Sequence, residues 1–292
     1  MARLHLVDGT WELFRAHHSP RPSRTDPSGR DVKASVGVVE SLLRLLGDRA
    51  ESVTHLAVAF DNPIESFRND LFADYKDGSG VDPALTAQFD LVEQGVAALG
   101  ITVWSLDEHE ADDAIATAAT TLAGSFDQIR ILTPDKDLGQ VVQRDHIVQV
   151  DRMRDREFDE QGVIERLGVP PRSVPDLLAL VGDTADGIPG LPGFGAKGAA
   201  AVLRRWPHLE DIPTDVSDWD VTVRGAARLA ATFADRRDDA LLYRRLATLV
   251  LDVPLDLDPS ALEWQGPTAD VWATWCASMG ASRLVDRPRA HH

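Results

Sequence analysis

The sequence contains one cysteine, Cys276, among its 292 residues. A single thiol excludes an intrachain disulfide and a thiolate metal cluster, and it suits a reducing compartment. The chain also lacks the run of ~20 apolar residues that a membrane span needs, and its first residues lack the charged-then-apolar pattern of a signal peptide. We therefore expect a cytoplasmic protein without membrane contact.

Positive charge is also scarce in this chain. The 30 lysines and arginines face 47 aspartates and glutamates, which gives a formal net charge of −17. Most nucleic-acid-binding proteins carry a basic surface, so the total charge argues against a polyanionic partner. An acidic surplus often only keeps a surface soluble, and the positions of the acids must therefore decide between a solvated surface and a site.

The first half of the chain alternates short apolar runs with helical patterns. The runs RLHLV, VTHLAVAF, GITVW, QIRILT and HIVQVD are each long enough for one strand. That alternation predicts an α/β fold with a mostly parallel central sheet flanked by helices. From about residue 160 onward the pattern is mainly helical. We predict three regions: an α/β core over 1–165, a helical subdomain over 166–262, and a C-terminal helix and tail over 263–292.

Acidic residues follow each of the first four predicted strands. An acid after a strand commonly caps the next helix, so each one alone has a structural explanation. Parallel strands, however, end at one edge of a sheet, where carboxylates repel one another unless cations neutralise them. The pattern therefore predicts a metal site formed by Asp8, Asp61, Glu110, Asp112, Asp113, Asp135 and Asp137.

The ligand types indicate which metal this site would hold. Oxygen ligands without cysteine or paired histidine favour a hard cation, and short aspartates suit Mg²⁺ or Mn²⁺. The acids outnumber the ligands that one ion needs, so we expect two ions. Two ions about 4 Å apart can activate a water and stabilise the leaving oxygen of an in-line phosphoryl displacement. The acids thus indicate a metal-assisted phosphoryl displacement.

The stretch LVGDTADGIPGLPGFGAKGAAAVL, residues 180–203, is rich in glycine although helix-forming segments flank it. Asp183 and Asp186 lie three residues apart at the end of the preceding predicted helix, so we expect them to project to one side and complete the acidic cluster. The glycines permit turns with positive φ, and the next helix begins near Lys197 with N–H groups that can hold a phosphate. The alternative is an ordinary glycine-rich helix hairpin.

Six blocks of the sequence resemble those of the 5′ nuclease family, which comprises flap endonucleases and the 5′→3′ exonuclease domains of bacterial family A DNA polymerases. The resemblance covers nearly the whole chain. It implies a PIN-like, Rossmann-like core with an arch region at about 68–95 and a helix–three-turn–helix motif at about 175–205. Because only about thirty residues follow the nuclease region, we also expect a stand-alone nuclease without an attached polymerase. The blocks, in order, are LVDGTWELFRA, VAFDNPIESFRNDLFADYK, EADD, TPDKDL, GDTADGIPGLPGFGAK and RRLATLVLDVPL.

The resemblance also assigns the acids to two metal ions. All the acids of the family pattern are present in this sequence. The first ion would be held by Asp8, Asp61, Glu110 and Asp112. The second ion, or its coordinating waters, would be held by Asp113, Asp135, Asp137, Asp183 and Asp186.

Contacts to DNA follow from the same resemblance. Lys76 and Arg68 would contact the scissile phosphate and stabilise its developing charge, and Tyr75 would stack on a terminal base. Arg15 matches a family arginine that contacts phosphate, although an ordinary surface arginine is the alternative. The helix–three-turn–helix motif would hold the duplex backbone, and some family members bind K⁺ there. The residues expected at that turn are Gly193, Gly195 and Lys197.

These features predict a metal-dependent 5′ nuclease for DNA replication or repair, acting with two Mg²⁺ or Mn²⁺ ions on DNA with a 5′ flap, a nick or a 5′ end. We expect a monomer, and a polymerase or ligase partner stays open. One alternative is a structure-specific branched-DNA-binding protein with little or no catalysis, because from Arg68 to Glu93 only Arg68 and Lys76 are basic. Another is a related α/β nuclease that acts on RNA.

Overall fold

The computed structural model describes residues 2–288, and six strands lie within them. The first five lie where the apolar runs predict them. The sixth has no counterpart among the predicted strands, because it has three residues and none of them is fully buried. The strands are β1 Arg3–Asp8, β2 His55–Phe60, β3 Thr102–Ser105, β4 Gln128–Leu132, β5 Ile147–Asp151 and β6 Arg156–Phe158.

Helices occupy most of the remaining chain. Of the described residues, none lies in a helix that is long and apolar enough to cross a membrane. The predicted helical stretch from Val223 to Leu246 forms two helices that meet at Arg236. The helices are α1 Gly9–His18, α2 Lys33–Leu46, α3 Phe67–Leu71, α4 Pro83–Thr86, α5 Phe89–Ala98, α6 Ala111–Thr121, α7 Glu160–Leu167, α8 Val174–Val181, α9 Ala196–Arg205, α10 Ala226–Asp235, α11 Arg237–Ala247, α12 Pro259–Leu262 and α13 Ala269–Ser278.

The helical pattern over 83–100 predicts one helix, but α4 and α5 are separated there by two residues. One of them, Gln88, is fully buried and accepts hydrogen bonds from the Ala34 and Ser35 N–H groups at 2.9 and 3.1 Å. These N–H groups belong to the first turn of α2, which has no internal partners for them. The break therefore places a side chain that caps a neighbouring helix.

Contacts divide the chain into two compact units. The first runs from the N-terminus to Ile64, from Gly78 to Thr133, and from Leu251 onward. The second comprises Glu65–Asp77 and Pro134–Val250. These boundaries differ from the three predicted regions, because Glu65–Asp77 packs with the later helices and α13 packs against α5.

The first unit is built on a parallel sheet with the strand order β3-β2-β1-β4. Val7 of β1 lies between Val58 of β2 and Leu132 of β4, and all three side chains are buried. A parallel sheet covered by helices requires strands that are apolar nearly throughout, as HLAVAF is. Helices α1, α5 and α6 pack against these strands. This confirms the predicted α/β class with a mostly parallel sheet.

The second unit is mainly helical and contains the antiparallel pair of β5 and β6. Its core includes Leu178 of α8, Leu203 of α9, Phe233 of α10 and Leu246 of α11. Each of these side chains comes from a different helix, so the apolar faces of all four helices are buried together. The predicted helical subdomain is confirmed.

Glycine is required where the turn after α8 folds back on that helix. Gly182 and Gly190 have φ values of 86° and 68°, which side chains other than glycine rarely adopt. A Cβ at Gly190 would lie 2.4 Å from the Gly182 nitrogen, too close for any side chain. The glycine-rich composition therefore encodes a tight and fixed turn.

Buried polar groups join β1 and β4 at the amino-terminal half of the sheet. His5 and Arg130 are register partners, and both bind Glu51: His5 Nε2 lies 3.1 Å and Arg130 Nε 2.8 Å from Glu51 Oε2. Burial lowers the pKa of His5, so the ring is neutral at pH 7 and donates from Nε2. The hydrogen bond from His5 and the charge of Arg130 outweigh burial and lower the pKa of Glu51 from 4.5 to about 2.

Replacing Glu51 should make stability depend on pH in a defined direction. Because the folded pKa of Glu51 lies below its unfolded value, its contribution is present above pH 4.5 and is lost as the pH falls toward about 2. We expect Glu51→Gln to lower the free energy of unfolding by about 2 kcal/mol at pH 7 and by much less at pH 3. Urea denaturation at both pH values measures this. A control, Glu108→Gln at an exposed site, should change little. An equal loss at pH 7 and pH 3 would contradict the assignment.

Candidate metal centre

The second unit brings three of the predicted metal ligands together. One carboxylate oxygen from each of Asp137, Asp183 and Asp186 lies within 4.8 Å of the others. Asp137 begins a 3-10 turn that packs against α8, and the two other aspartates follow α8. Asp137 and Asp183 are buried, and Asp186 is partly exposed. We call these three side chains the carboxylate cluster.

Backbone hydrogen bonds hold Asp183 and Asp186 in place. Asp183 and Ile188 exchange two N–H to carbonyl bonds of 2.8 Å, and the Asp186 carbonyl accepts from the Lys76 N–H at 3.1 Å. A Cβ at Gly187 would lie 2.2 Å from the Asp74 carbonyl oxygen, so this close approach requires glycine. Because α8 ends before both aspartates, a turn brings them together rather than the predicted helical spacing.

The electrostatics of Asp137 are those of a group that needs a cation. Burial, followed by the charges of Asp135, Asp186 and Asp183, raises the pKa of Asp137 well above its usual value. Among the described residues, its Oδ1 atom has no hydrogen-bond partner although it is buried. An unpartnered buried carboxylate oxygen is costly, and a bound cation would remove that cost. The donor set therefore fits a metal ion.

Two lysines contact the cluster in this structure. Lys136 Nζ lies 2.5 Å from Asp183 Oδ2, and Lys76 Nζ lies 3.0 Å from Asp186 Oδ1. Burial lowers the pKa of Lys136, but the hydrogen bond and charge of Asp183 outweigh it and raise the pKa overall. The cluster thus attracts cations. Lys136 is not among the predicted site residues, although its place between Asp135 and Asp137 is a signal for it.

Asp135 shapes the loop that carries the cluster. Its Oδ1 accepts from the Asp137 N–H at 3.0 Å, and its carbonyl oxygen accepts from Gln149. Arg166 donates to the neighbouring Pro134 carbonyl at 2.6 Å. These bonds orient Asp137, while the Asp135 charge adds to the negative potential there.

In the first unit, Asp8 is the last residue of β1 and Asp61 directly follows the neighbouring strand β2. Asp8 Oδ1 accepts from the Trp11 N–H at 2.8 Å and so caps α1, while Oδ2 accepts from Thr133 Oγ1 at 2.9 Å. Asp61 Oδ1 accepts from the Ala111 N–H at 2.7 Å, at the first residue of α6. Both carboxylates therefore accept hydrogen bonds from residues of the first unit, including a backbone N–H at the start of a helix in each case.

The acids at the start of α6 form a capping box. Asp113 Oδ2 accepts from the Glu110 N–H at 3.1 Å, and the Glu110 side chain accepts from the Asp113 N–H. Asp113 is fully buried, whereas Asp112 is partly exposed in the same turn. Asp113 therefore has a structural role in capping α6, and its expected role in the second metal site stays a prediction.

Arg68 and Tyr75 lie inside the second unit rather than on a surface that faces substrate. Arg68 is 1 % exposed and donates to the carbonyls of Leu246 at 2.8 Å and Thr248 at 3.1 Å. Those carbonyls belong to the end of α11, where helical partners are missing. Tyr75 is 4 % exposed and belongs to the apolar core. Their burial argues against the phosphate contact and the base stacking expected of them.

The remaining predicted DNA contacts are more accessible. Arg15 is partly exposed, forms an ion pair with Glu12 and lies over the Trp11 ring. At the turn before α9, three predicted residues are exposed, and no side chain caps the helix. An uncapped and exposed helix start can bind a phosphate. These residues are Gly193 and Gly195 of the turn and Lys197 in the first turn of α9.

Two family descriptions together match most of the chain. Residues 3–168 match the N-terminal resolvase-like domain of 5′-3′ exonucleases. Residues 169–270 match the C-terminal SAM fold of 5′-3′ exonucleases. The boundary at 168 separates the α/β part from most of the helical part.

Curated relatives and solved structures agree with these matches. DNA polymerase I of Rhizobium leguminosarum is 36 % identical over 265 residues, which cover 89 % of this chain and 26 % of that protein. A 5′-3′ exonuclease of Aquifex aeolicus is 30 % identical over 268 residues, which cover 91 % of this chain and 88 % of that protein. A structure of T5 5′-exonuclease with bound zinc has a TM-score of 0.63 at 17 % identity and covers 98 % of this chain and 96 % of that chain.

The chain thus spans only part of the length of the polymerase relatives. The matched regions cover between 26 % and 32 % of the first three polymerases. The similarity to the T5 protein, at 17 % identity, concerns the fold.

Removing one charge from the carboxylate cluster should increase the stability of the metal-free protein and reduce its stabilisation by Mn²⁺. We expect Asp137→Asn to raise the free energy of unfolding by about 1–2 kcal/mol without divalent metal, because repulsion at a buried site is relieved. The Tm increase on adding Mn²⁺ should fall to about half or less of the wild-type increase. Scanning calorimetry with and without Mn²⁺ measures both. Asp235→Asn, at an exposed acid, serves as the control. A full Mn²⁺ response in Asp137→Asn would contradict the site.

Arg68 should matter for stability. Arg68→Met keeps an apolar stem but leaves the Leu246 and Thr248 carbonyls without their donor. We expect the free energy of unfolding to fall by about 3 kcal/mol. Urea denaturation, with the exposed Arg224→Met as the control, checks this. Unchanged stability would contradict this structural role and favour the phosphate contact that the sequence predicts for Arg68.

Proposed function

This chain belongs to the 5′-3′ exonuclease family, and we propose that it is a metal-dependent 5′ nuclease. Its substrate is DNA with a 5′ flap, a nick or a 5′ end, and its reaction is hydrolysis of a phosphodiester in replication or repair. The observation that carries this proposal is the carboxylate cluster, in which Asp137 Oδ1 is buried without a hydrogen-bond partner among the described residues. We further propose that it acts as a cytoplasmic monomer.

Each unit contributes ligands for one divalent ion. Asp137, Asp183 and Asp186 would hold one ion, and the oxygen-only donor set suits Mg²⁺ or Mn²⁺. The acids of the first unit would hold the other. When bound, such ions lower the pKa of water and neutralise charge that develops on a phosphate. The first-unit ligands are Asp8, Asp61, Glu110 and Asp112.

The protein's own cations would act on the substrate phosphate. Lys76 is about one-quarter exposed, and its Nζ atom lies 3.0 Å from Asp186 Oδ1. When Asp186 serves as a metal ligand, the ammonium group of Lys76 would be available to a phosphate instead. Lys136 would be released from Asp183 in the same way. Metal binding by the aspartates would therefore make the two lysines available for phosphate contacts.

The turn before α9 would hold the DNA backbone away from the reacting bond. Gly193, Gly195 and Lys197 present exposed N–H groups and one ammonium group, which suit phosphate and, with the turn carbonyls, K⁺. Such contacts do not read bases, so we expect salt-sensitive binding with little sequence preference.

A specific observation favours the second candidate, a branched-DNA-binding protein with weak catalysis. Arg68 is buried in the core, and Lys76 is the other basic residue of the acidic segment up to Glu93. A segment with so few cations grips a free single strand weakly. On that candidate, the protein would bind branched DNA and release it uncut.

Cleavage of end-labelled substrates separates the two candidates. We expect wild-type protein with Mg²⁺ or Mn²⁺ to cut a 5′-flap duplex. The cleavage rate of Asp183→Asn should be lower by about 100-fold or more. Affinity for the same DNA, measured by anisotropy in Ca²⁺, should stay within about threefold. Asp235→Asn should cut like wild type. Nicked and blunt duplexes and an RNA flap of the same shape define the substrate. Tight binding without cutting by wild-type protein would favour the second candidate.

A further inference from the structure

The first unit contains a cavity of about 340 Å³, and half of the ten residues that line it are cationic. It lies between the loop that follows α1, one face of α2 and the segment after α13. We call this cavity the basic pocket. Its charged lining residues are Arg21, Arg24, Lys33, Arg44, Arg283 and Glu40.

The charge of the basic pocket is opposite to that of the protein. Five cations and one carboxylate give the pocket a net charge of +4, whereas the whole chain has a net charge of −17. Scattered surface cations in an acidic protein are normally interspersed with acids. A concentration of five around one cavity therefore indicates a site for an anion.

The one carboxylate in the pocket is already shared. Arg24 Nη1 and Arg283 Nη2 lie 3.4 and 2.6 Å from the same Glu40 oxygen. Burial raises the pKa of Glu40, but the neighbouring arginines outweigh it and lower the pKa overall. Lys33 Nζ donates to the carbonyls of His17 and Ser19 at 2.7 and 2.8 Å, and these neutral acceptors do not cancel its charge. The pocket thus keeps a positive excess.

Arg21 supplies a second and independent observation. Its Nη1 atom is buried and, within the described part of the chain, has no hydrogen-bond partner. The guanidinium packs over Gly37 of α2, where a Cβ would lie 2.4 Å from that nitrogen. Glycine inside a helix costs up to about 1 kcal/mol, and here its missing side chain makes room for an arginine. The unpartnered donor points to a ligand that accepts hydrogen bonds.

The lining also defines the class of ligand. The uncharged lining residues include Pro22 and Val36, and no aromatic side chain is among the described residues that line the cavity. Such walls offer charge and hydrogen bonds but no surface for stacking a base. The planar fork of a guanidinium matches phosphate oxygens, and the volume is that of a small-ligand site.

We propose that the basic pocket binds a phosphate group, supplied by the backbone of a nucleic-acid strand. The choice of a strand rests on the proposed function. Helix α1 connects the pocket to the metal ligands of this unit: Asp8 caps its start, and Lys33 binds carbonyls at its end. Ten helical residues span about 15 Å, or about four base-pair steps of a duplex. A free nucleotide or pyrophosphate is the other source of the same chemistry.

DNA binding at several salt concentrations tests the pocket. We expect Arg21→Gln to weaken binding of a labelled 5′-flap duplex in Ca²⁺ about fivefold or more and to reduce the slope of log affinity against log salt by about 0.7–0.9. Gly37→Ala should act in the same direction, because it displaces the Arg21 guanidinium without changing any charge. Arg49→Gln removes one exposed positive charge outside the pocket and should leave the slope unchanged.

Free phosphate compounds distinguish the two sources. If calorimetry detects pyrophosphate binding to wild type but not to Arg21→Gln, while DNA binding is the same for both, the pocket binds a free phosphate compound and the strand assignment is wrong. Arg283→Gln, at a mostly exposed side chain, repeats each measurement should Arg21→Gln unfold. The proposal is overturned if these variants match Arg49→Gln for both ligands. Failure of the nuclease proposal would appear separately, as absence of cutting by wild-type protein.

Discussion

Three carboxylates held within 4.8 Å of one another repel, and burial strengthens the repulsion because little water screens it. The second unit tolerates this because Asp183 is paired with Ile188 through the backbone and because its apolar core supplies stability elsewhere. Lys136 and Lys76 offset part of the charge. A divalent ion would offset more of it at a single point. The cluster therefore lowers the stability of the fold, and the proposed cation binding would recover that stability.

Charges of opposite sign are concentrated at different places in this protein. Carboxylates follow the ends of β1 and β2 and collect at the turn after α8, whereas arginines collect around the basic pocket beside α2. Several of the acids also cap helices, so one side chain serves both local structure and local potential. On the two proposals made above, an acidic chain would bind a polyanion through metal ions at the carboxylate cluster and through arginines at the basic pocket.

Much of the fold follows from local patterns in the sequence. Strands such as HLAVAF are short apolar runs, and the order of runs and helices defines a parallel sheet. Asp8 ends such a run and Asp61 follows one, which is the signal for them as proposed metal ligands, whereas the turn after α8 brings Asp183 and Asp186 together. The burial of Arg68 and Tyr75 could not be predicted, because it depends on α11 carbonyls and core contacts that are distant in sequence. The same holds for Lys136, whose partner Asp183 is brought to it only by the turn after α8.

The central claim is that Asp137, Asp183 and Asp186 together ligate a divalent ion. Anomalous diffraction from a crystal soaked in Mn²⁺ tests it most directly. We expect an anomalous peak bound by oxygens of these three side chains, with the Lys136 ammonium group moved away from Asp183. A structure in which Mn²⁺ is absent there at saturating concentration, with both lysine ion pairs intact, would contradict the claim.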